Sequence, residues 1–277
     1  MYADCHMHMI LDGVEWKTAI ARHQPAPDEP WIRTVLQAYQ NMGVTYLRDG
    51  GDRWGTGAAA RRLAPEYGIT YRTPLAPLCM QGHYGGFIGL VYRDLKEYTA
   101  LVRHQKQQGA DFIKIMISGL MDFHQFGILT EPGLPPQIIH ELIHIAHGEG
   151  MAVMAHANGA ETVLAAAAAG VDSVEHGAYQ DPESLAAMKQ MGTVWVPTLS
   201  TVGNLLGKRR FPDTQVGAIL ESSLQSLSDY KGLVAPGTDA GAWAVPHGSA
   251  TEETLLAQAG ITEDRLQAGI DRIVQKF

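Results

Sequence analysis

Two histidines separated by one residue, His6 and His8, stand in the opening stretch MYADCHMHM. Read as a strand, that stretch alternates its side chains between two faces, so Asp4, His6 and His8 share one face and Cys5, Met7 and Met9 the other. Three groups able to bind a metal then point one way. More such groups recur where later apolar runs end: Lys114 in DFIKIMIS, His156 in MAVMAHA, His176 in VDSVEHGA and Asp239 in LVAPGTDA. A lone histidine on a strand is usually a satisfied structural group. Six competent positions on five runs point instead to a shared metal centre.

Lys114 is the unusual member, because an ammonium inside the run FIKIMI is costly to bury unless it is paired or neutralised. A buried lysine with a lowered pKa carries a nucleophilic neutral amine. That amine could take up carbon dioxide as a carbamate and so present a carboxylate bridging two metals. The plainer reading is an ion pair with Asp111 or Glu175, and the carbamate is favoured by the company Lys114 keeps.

Positioning these groups requires a regular scaffold, and the chain supplies one. Apolar, β-branched runs alternate with helical patterns, the mark of parallel βα units. Eight strands are predicted, over 3–9, 43–50, 69–77, 111–118, 151–157, 171–178, 193–199 and 233–240. Asp181 followed by Pro182 and Glu183 caps one helix, which Gly192 closes. Gly43, Gly68, Gly109, Gly150 and Gly170 mark similar joints before strands. Eight such units are the recipe for a closed (β/α)8 TIM barrel, with an open doubly wound sheet as the alternative. No glycine-rich phosphate fingerprint follows the first strand, which lowers that alternative. The segment 10–30, with LDG and three prolines, lies where active-site loops belong.

The chain has 277 residues, 45% apolar and 18% charged, which fits one globular unit, taken here as a single domain over 1–277. A formal charge of −8 argues against a nucleic-acid partner. Lys208, Arg209 and Arg210 form the one short basic run and read as a solvated turn. Two cysteines, Cys5 and Cys79, cannot build a disulfide framework. No apolar run reaches the ~18 residues of a membrane span, and no signal peptide is evident. A cytoplasmic protein with no membrane partner is expected.

Taken together, His-x-His on the first strand, lysine on the fourth, histidines on the fifth and sixth and aspartate on the eighth resemble the metal-dependent amidohydrolase superfamily. The phrases GVTYLRDGG, DFIKIM, VMAHANG, SVEHGAY with VPTLS, and PGTDAG are similar to those of its prolidase-like and imidazolonepropionase-like branch. The resemblance implies two divalent ions, most often zinc: His6, His8 and Asp239 on the buried one, His156 and His176 on the exposed one, and carboxylated Lys114 on both. It also implies a hydrolase cleaving an amide-type C–N bond of a small molecule by attack of a metal-bridging hydroxide. Asp239 would then be the catalytic base and later the acid. Most relatives flank the barrel with a small β-sandwich; here a bare barrel is expected, paired in a possible homo-oligomer.

Other readings exist. A mononuclear deaminase would use the same first-strand histidines and last aspartate with a glutamate such as Glu161, and would not need Lys114. A noncatalytic metal-binding scaffold could keep the ligands without turnover. His140-Glu141-Leu142-Ile143-His144 matches the zinc-peptidase pattern. However, the apolar stripe of Ile138, Ile139, Leu142, Ile143 and Ala146 would turn those histidines to solvent. Substrate contacts are sought in the loops, at Arg53, His83, Tyr84 and His247, with Asp52, Trp54, Asp122, His124 and Trp243 as further candidates. Arg53 could pair with a carboxylate.

Overall fold

The computed structural model describes residues 2–277. In chain order the elements are β1 (Ala3–Met7), α1 (Trp16–Arg22), α2 (Glu29–Asn41), β2 (Tyr46–Asp49), α3 (Thr56–Leu63), β3 (Thr70–Arg72), β4 (Leu78–Met80) and β5 (Leu90–Tyr92). There follow α4 (Leu95–Gln107), β6 (Ile113–Met116), α5 (Pro136–Gly148), β7 (Val153–Ala157), α6 (Ala160–Ala168), β8 (Ser173–His176), α7 (Pro182–Met191) and β9 (Val194–Val196). The chain finishes with α8 (Ser200–Gly203), α9 (Asp213–Asp229), α10 (Thr251–Gln258) and α11 (Glu263–Lys276).

Every pairing of these strands is parallel, in two sheets ordered β1-β2-β3 and β5-β4-β6-β7-β8-β9. The helices between strands are the crossovers that parallel pairing demands. Punctuation works as read: Asp181 accepts from Ser184 N in a capping box, and Gly192 ends α7 with φ 69.

The expected third strand, 69–77, is where the two sheets part. Residues 70–72 pair with β2, whereas 78–80 pair with β6 and with β5, a strand the sequence pattern did not show. Pro74 and Pro77 have no N–H for a ladder, and Leu75 between them holds a φ of 64. The side-chain amide of Gln105 donates to the Pro74 and Ala76 carbonyls (3.2 and 3.0 Å), replacing lost ladder bonds. The expected eighth strand, 233–240, contributes only isolated bridges, Trp195 to Val234 and Met7 to Ala240. Even so, it touches both sheets: Ala235 N donates to Trp195 O (3.0 Å), Cys5 N to Pro236 O (2.8 Å) and His8 N to Ala240 O (2.7 Å).

Three of the four apolar clusters among the described residues follow this plan. One joins β1, β2 and β3 to α2 and α3 through residues such as Met7, Leu36, Leu47 and Leu63. A larger one joins the second sheet to α4, α5, α6 and α9. The third, with Cys5, Phe112, Met154 and Val196, is covered by Ile270, Ile273 and Phe277 of the C-terminal segment.

β1 departs from simple alternation. Its register against β2 shifts between Asp4 and Met7, so Cys5 joins Met154 and Val196 in the third cluster while Asp4 turns to Tyr39 of α2 (3.1 Å) and Thr238 Oγ1 (2.5 Å). Asp4 therefore does not share a face with His6 and His8. A bulge puts one extra residue between two faces and breaks the period of two.

Candidate active site

The six candidate ligands converge on one cavity. His6 lies in β1 and His8 follows it, Lys114 lies in β6, His156 in β7 and His176 ends β8. Asp239 lies on the segment between the sheets, its N–H donating to His6 O at 2.7 Å. All six line one cavity of ≈ 850 Å³.

Strand alternation alone would not bring His176 there. In β8, Ser173 and Glu175 take one face, where they bond Arg48, and Val174 packs in the large outer core. His176 escapes to the Glu175 side by a left-handed backbone, φ 66, and Asp239 is turned likewise, φ 55. Such conformations in non-glycine residues carry strain and collect at functional sites. The turn at His176 is held by Trp195, whose indole N–H donates to the His176 carbonyl at 2.9 Å.

One nitrogen of each buried histidine is committed to the protein. His6 Nδ1 stands 2.8 Å from Glu175 Oε2, His156 Nε2 stands 3.1 Å from Gly119 O, and His176 Nδ1 stands 2.7 Å from Thr198 Oγ1. As neutral donors at those atoms, the rings keep a lone pair on the other nitrogen. Burial also holds them neutral. It pushes His156 down to about 3, helped by Lys114, and lowers His6 and His176 well below the usual histidine range. Neutral imidazole is the ligand form.

The donor set fits a divalent cation. His6 Nε2, His8 and Asp239 gather within 4.8 Å of one another. His8 Nε2 and His6 Nε2 stand 3.2 and 3.6 Å from Asp239 Oδ1. Ligands about 2.0–2.2 Å from a tetrahedral zinc are themselves roughly 3.3 Å apart. Further, His6 Nε2, Asp239 Oδ1 and Lys114 Nζ are buried without a hydrogen-bond partner. Buried polar atoms of that kind need an explanation, and a shared cation supplies one.

Lys114 has neither of the ion-pair partners considered for it. Asp111 bonds Arg61 (3.0 Å) and Thr73 N (2.8 Å), and Glu175 is taken by Arg48 (2.8 Å) and His6. Burial lowers Lys114 to about 8, against the opposing pull of Glu175 and Asp239.

Of the loop candidates, Tyr84, Asp122, His124 and Trp243 line the cavity. Tyr84 lies 4.9 Å ring to ring from His156, and its N–H is accepted by Glu131. His83 faces Glu131 at 3.9 Å. Arg53 is spent on the Gly86 and Gly89 carbonyls (2.9 and 3.2 Å) and lies over Trp54. Asp52 accepts from Trp54, Thr56 and Gly57 N–H groups at the start of α3. His247 is tied to Leu11 O (2.9 Å) and packs edge-on to Trp31 and Tyr39. Glu161 is exposed in the first turn of α6. His140 and His144 are exposed on the outer side of α5, stacked on each other at 5.8 Å.

Sequence reasoning passed over three contributors: Arg48, which supports Glu175; Asn158, which donates to Gly119 O at 3.1 Å beside His156; and Arg210 on the cavity wall. Arg48 did carry a signal, being a charged residue inside the strand run TYLRDG.

No family model matches the chain. The ochratoxinase of Aspergillus niger is 27% identical over 278 residues, covering 84% of this chain and 55% of the relative. An uncharacterized protein of Mycobacterium tuberculosis is 27% identical over 207 residues, covering 74% and 50%. The chain thus spans about half the length of the curated relatives it matches. The fold is shared with a crystal structure of a Xaa-Pro dipeptidase with methionine bound in its active site (TM-score 0.77, 22% identity, 97% of this chain and 72% of that one). It is shared equally with the A. niger ochratoxinase structure (0.79, 21%, 98% and 70%). At 21–22% identity these structural likenesses are likenesses of fold.

Proposed function

We propose that the chain is a metal-dependent hydrolase that cleaves an amide-type C–N bond of a small molecule, working as one (β/α)8 barrel. The two sheets are read as arcs of that barrel, linked through 233–240. The observation that carries the reading is the convergence of His6, His8 and Asp239, with Lys114, His156 and His176 on the same cavity. Similarity to ochratoxinase and to Xaa-Pro dipeptidase supports hydrolysis of C–N bonds.

His6, His8 and Asp239 would hold one ion and His156 and His176 a second, with Lys114 as a carbamate between them. Zinc suits this nitrogen and carboxylate set. When bound, such ions acidify water and polarise a carbonyl. Asp239, at the mouth of the ligand cluster, accepts the water proton and returns it to the leaving nitrogen. Tyr84 and the loops around it cover the site and limit bulk water. Buried free thiols at Cys5 and Cys79 fit a reducing cytoplasm; no helix among the described residues is long and apolar enough to cross a membrane.

Metal counting tests the reading together with the mass of Lys114. Two ions per chain, falling to one or none in Lys114→Ala, are expected, with hydrolysis of small-molecule amides lost. One ion per chain, unmodified Lys114 and release of ammonia from an amino-substituted ring would establish the deaminase instead.

A further inference from the structure

Glu252 stands in the first turn of α10 and is entirely buried. Its carboxylate serves a neighbouring turn: Oε1 accepts from Leu199 N at 3.0 Å, and Oε2 accepts from Ser200 N and Ser200 Oγ at 2.7 and 2.8 Å. Among the described residues no basic side chain pairs with it. Burial pushes its carboxyl up to about 8 against the lowering pull of Ser200 and Leu199, and a buried anion is tolerated only where its oxygens are used. The short helix α8 has no side-chain cap of its own, so a carboxylate from another helix does what a capping residue would. Leu255 seats α10 against α8, its side chain filling the place that a Cβ on Gly203 would take.

The turn that Glu252 holds leads back to the candidate metal centre. The ladder of β8 and β9 ends at Glu175 and Val196, one residue short of His176, and Pro197 has no N–H to extend it. Thr198 comes next, in a left-handed backbone of φ 49, a conformation that a β-branched residue keeps only where its surroundings impose it. Those surroundings are Thr201, whose N–H and hydroxyl donate to Thr198 O at 3.1 and 2.8 Å, and the two N–H groups just beyond, which Glu252 accepts. Thr198 Oγ1 then stands 2.7 Å from His176 Nδ1. We infer that Glu252 is a positioning residue for His176: it fixes the 198–200 turn, the turn aims the Thr198 hydroxyl at Nδ1, and that contact leaves Nε2 as the ring atom offered to a metal. The inference rests on the metal-dependent reading above and extends it to a residue that touches none of the candidate ligands.

The test is zinc affinity by chelator competition at pH 9, where the wild-type carboxyl is ionised, on the full chain and on Glu252→Gln, Thr198→Val and the double variant. Glu252→Gln keeps the shape but turns an amide donor toward one of the two backbone N–H groups. The zinc step that His176→Ala abolishes should weaken about tenfold in Glu252→Gln and about 10- to 100-fold in Thr198→Val, the scale for partners behind a ligating histidine. The double variant should bind no more weakly than Thr198→Val alone, because Glu252 acts through that hydroxyl. Unchanged affinity in Glu252→Gln, or losses that multiply in the double variant, would reduce Glu252 to a cap on α8 and overturn the inference. Should Glu252→Gln not fold, Glu252→Asp, which keeps the charge but withdraws it from the turn, is judged by the same outcomes. Should the wild-type chain bind no zinc, the metal-dependent reading fails, and the ring-nitrogen NMR shifts of His176 decide Glu252 separately. A proton fixed on Nδ1 in the wild type and shared between both nitrogens in Glu252→Gln supports the positioning role; the same single tautomer in both sinks it.

Discussion

Glu175 and His6 lie on strands far apart in the chain, yet a carboxylate oxygen of one stands 2.8 Å from Nδ1 of the other. The second carboxylate oxygen takes Arg48 Nη2 at 2.8 Å and Ser173 Oγ at 2.5 Å. Arg48 also donates to Cys5 O at 2.7 Å and lies 4.4 Å from the Phe277 ring, entirely buried. This chain of contacts fixes which nitrogen His6 offers to the cavity.

Glu175→Gln should therefore weaken metal binding about 10- to 100-fold, the usual effect of losing a carboxylate behind a ligating histidine. It also leaves Arg48 without its counter-charge, at a cost of about 3–5 kcal/mol. Chelator competition reads the first effect and chemical denaturation the second. Undiminished zinc affinity in a folded Glu175→Gln protein would remove the orienting role.

Gly50 follows β2 directly, and a Cβ built there would overlap the His8 ring. Gly50→Ala should displace His8 and lower metal occupancy toward that of His8→Ala, with melting little changed because the ring can swing into the cavity. Full metal loading in Gly50→Ala would show that the site tolerates the displaced ring.

His23 is buried at the C-terminal end of α1, where its Nδ1 accepts from Asp28 N at 3.1 Å and its Nε2 has no partner. Burial lowers it to about 4 from the usual 6.5, with Arg22 adding to the effect. Between those values the unfolded chain binds the proton more tightly. Stability from this group is complete above about 6.5 and is lost as pH falls toward about 4, by up to roughly 3 kcal/mol. Urea unfolding at pH 7.5 and 4.5 should show a smaller drop for His23→Asn than for the wild type. Identical drops would assign the acid sensitivity elsewhere.

His140 and His144 match a zinc-peptidase pattern but stand on the solvent side of α5. Their double replacement by alanine should leave zinc content and affinity as they were. A lost ion would reinstate that motif.

The candidate site was more legible in the sequence than the sheet that carries it. Each candidate ligand is a polar residue interrupting or ending an apolar run, and such an anomaly is visible without any coordinates. Lys114 shows this best, since nothing about FIKIMI calls for an ammonium. The third strand was misjudged because ITYRTPLAP looks continuous, although two prolines deny it a ladder. Asp4 was misplaced because a bulge leaves no mark in a pattern read two residues at a time. Arg48 and Glu175 find each other across 127 positions, a long-range pairing that local spacing cannot reveal. Lys208, Arg209 and Arg210 are exposed in a turn as read, whereas the stacking of Arg210 on Trp243 joins two loops that local spacing cannot relate.

The break at Pro74–Pro77 has a mechanical meaning. One apolar core stands behind β1, β2 and β3 and another behind the second sheet, and the cavity groups are shared between them: His6 and His8 on one side, Lys114, His156 and His176 on the other. Whatever binds all five at once acts as a clasp across a seam where the backbone ladder is missing. Amide hydrogens flanking that seam should then exchange faster after chelation than those in the middle of either core, so that loss of the ion is felt as a loosening of the body before it is felt as unfolding.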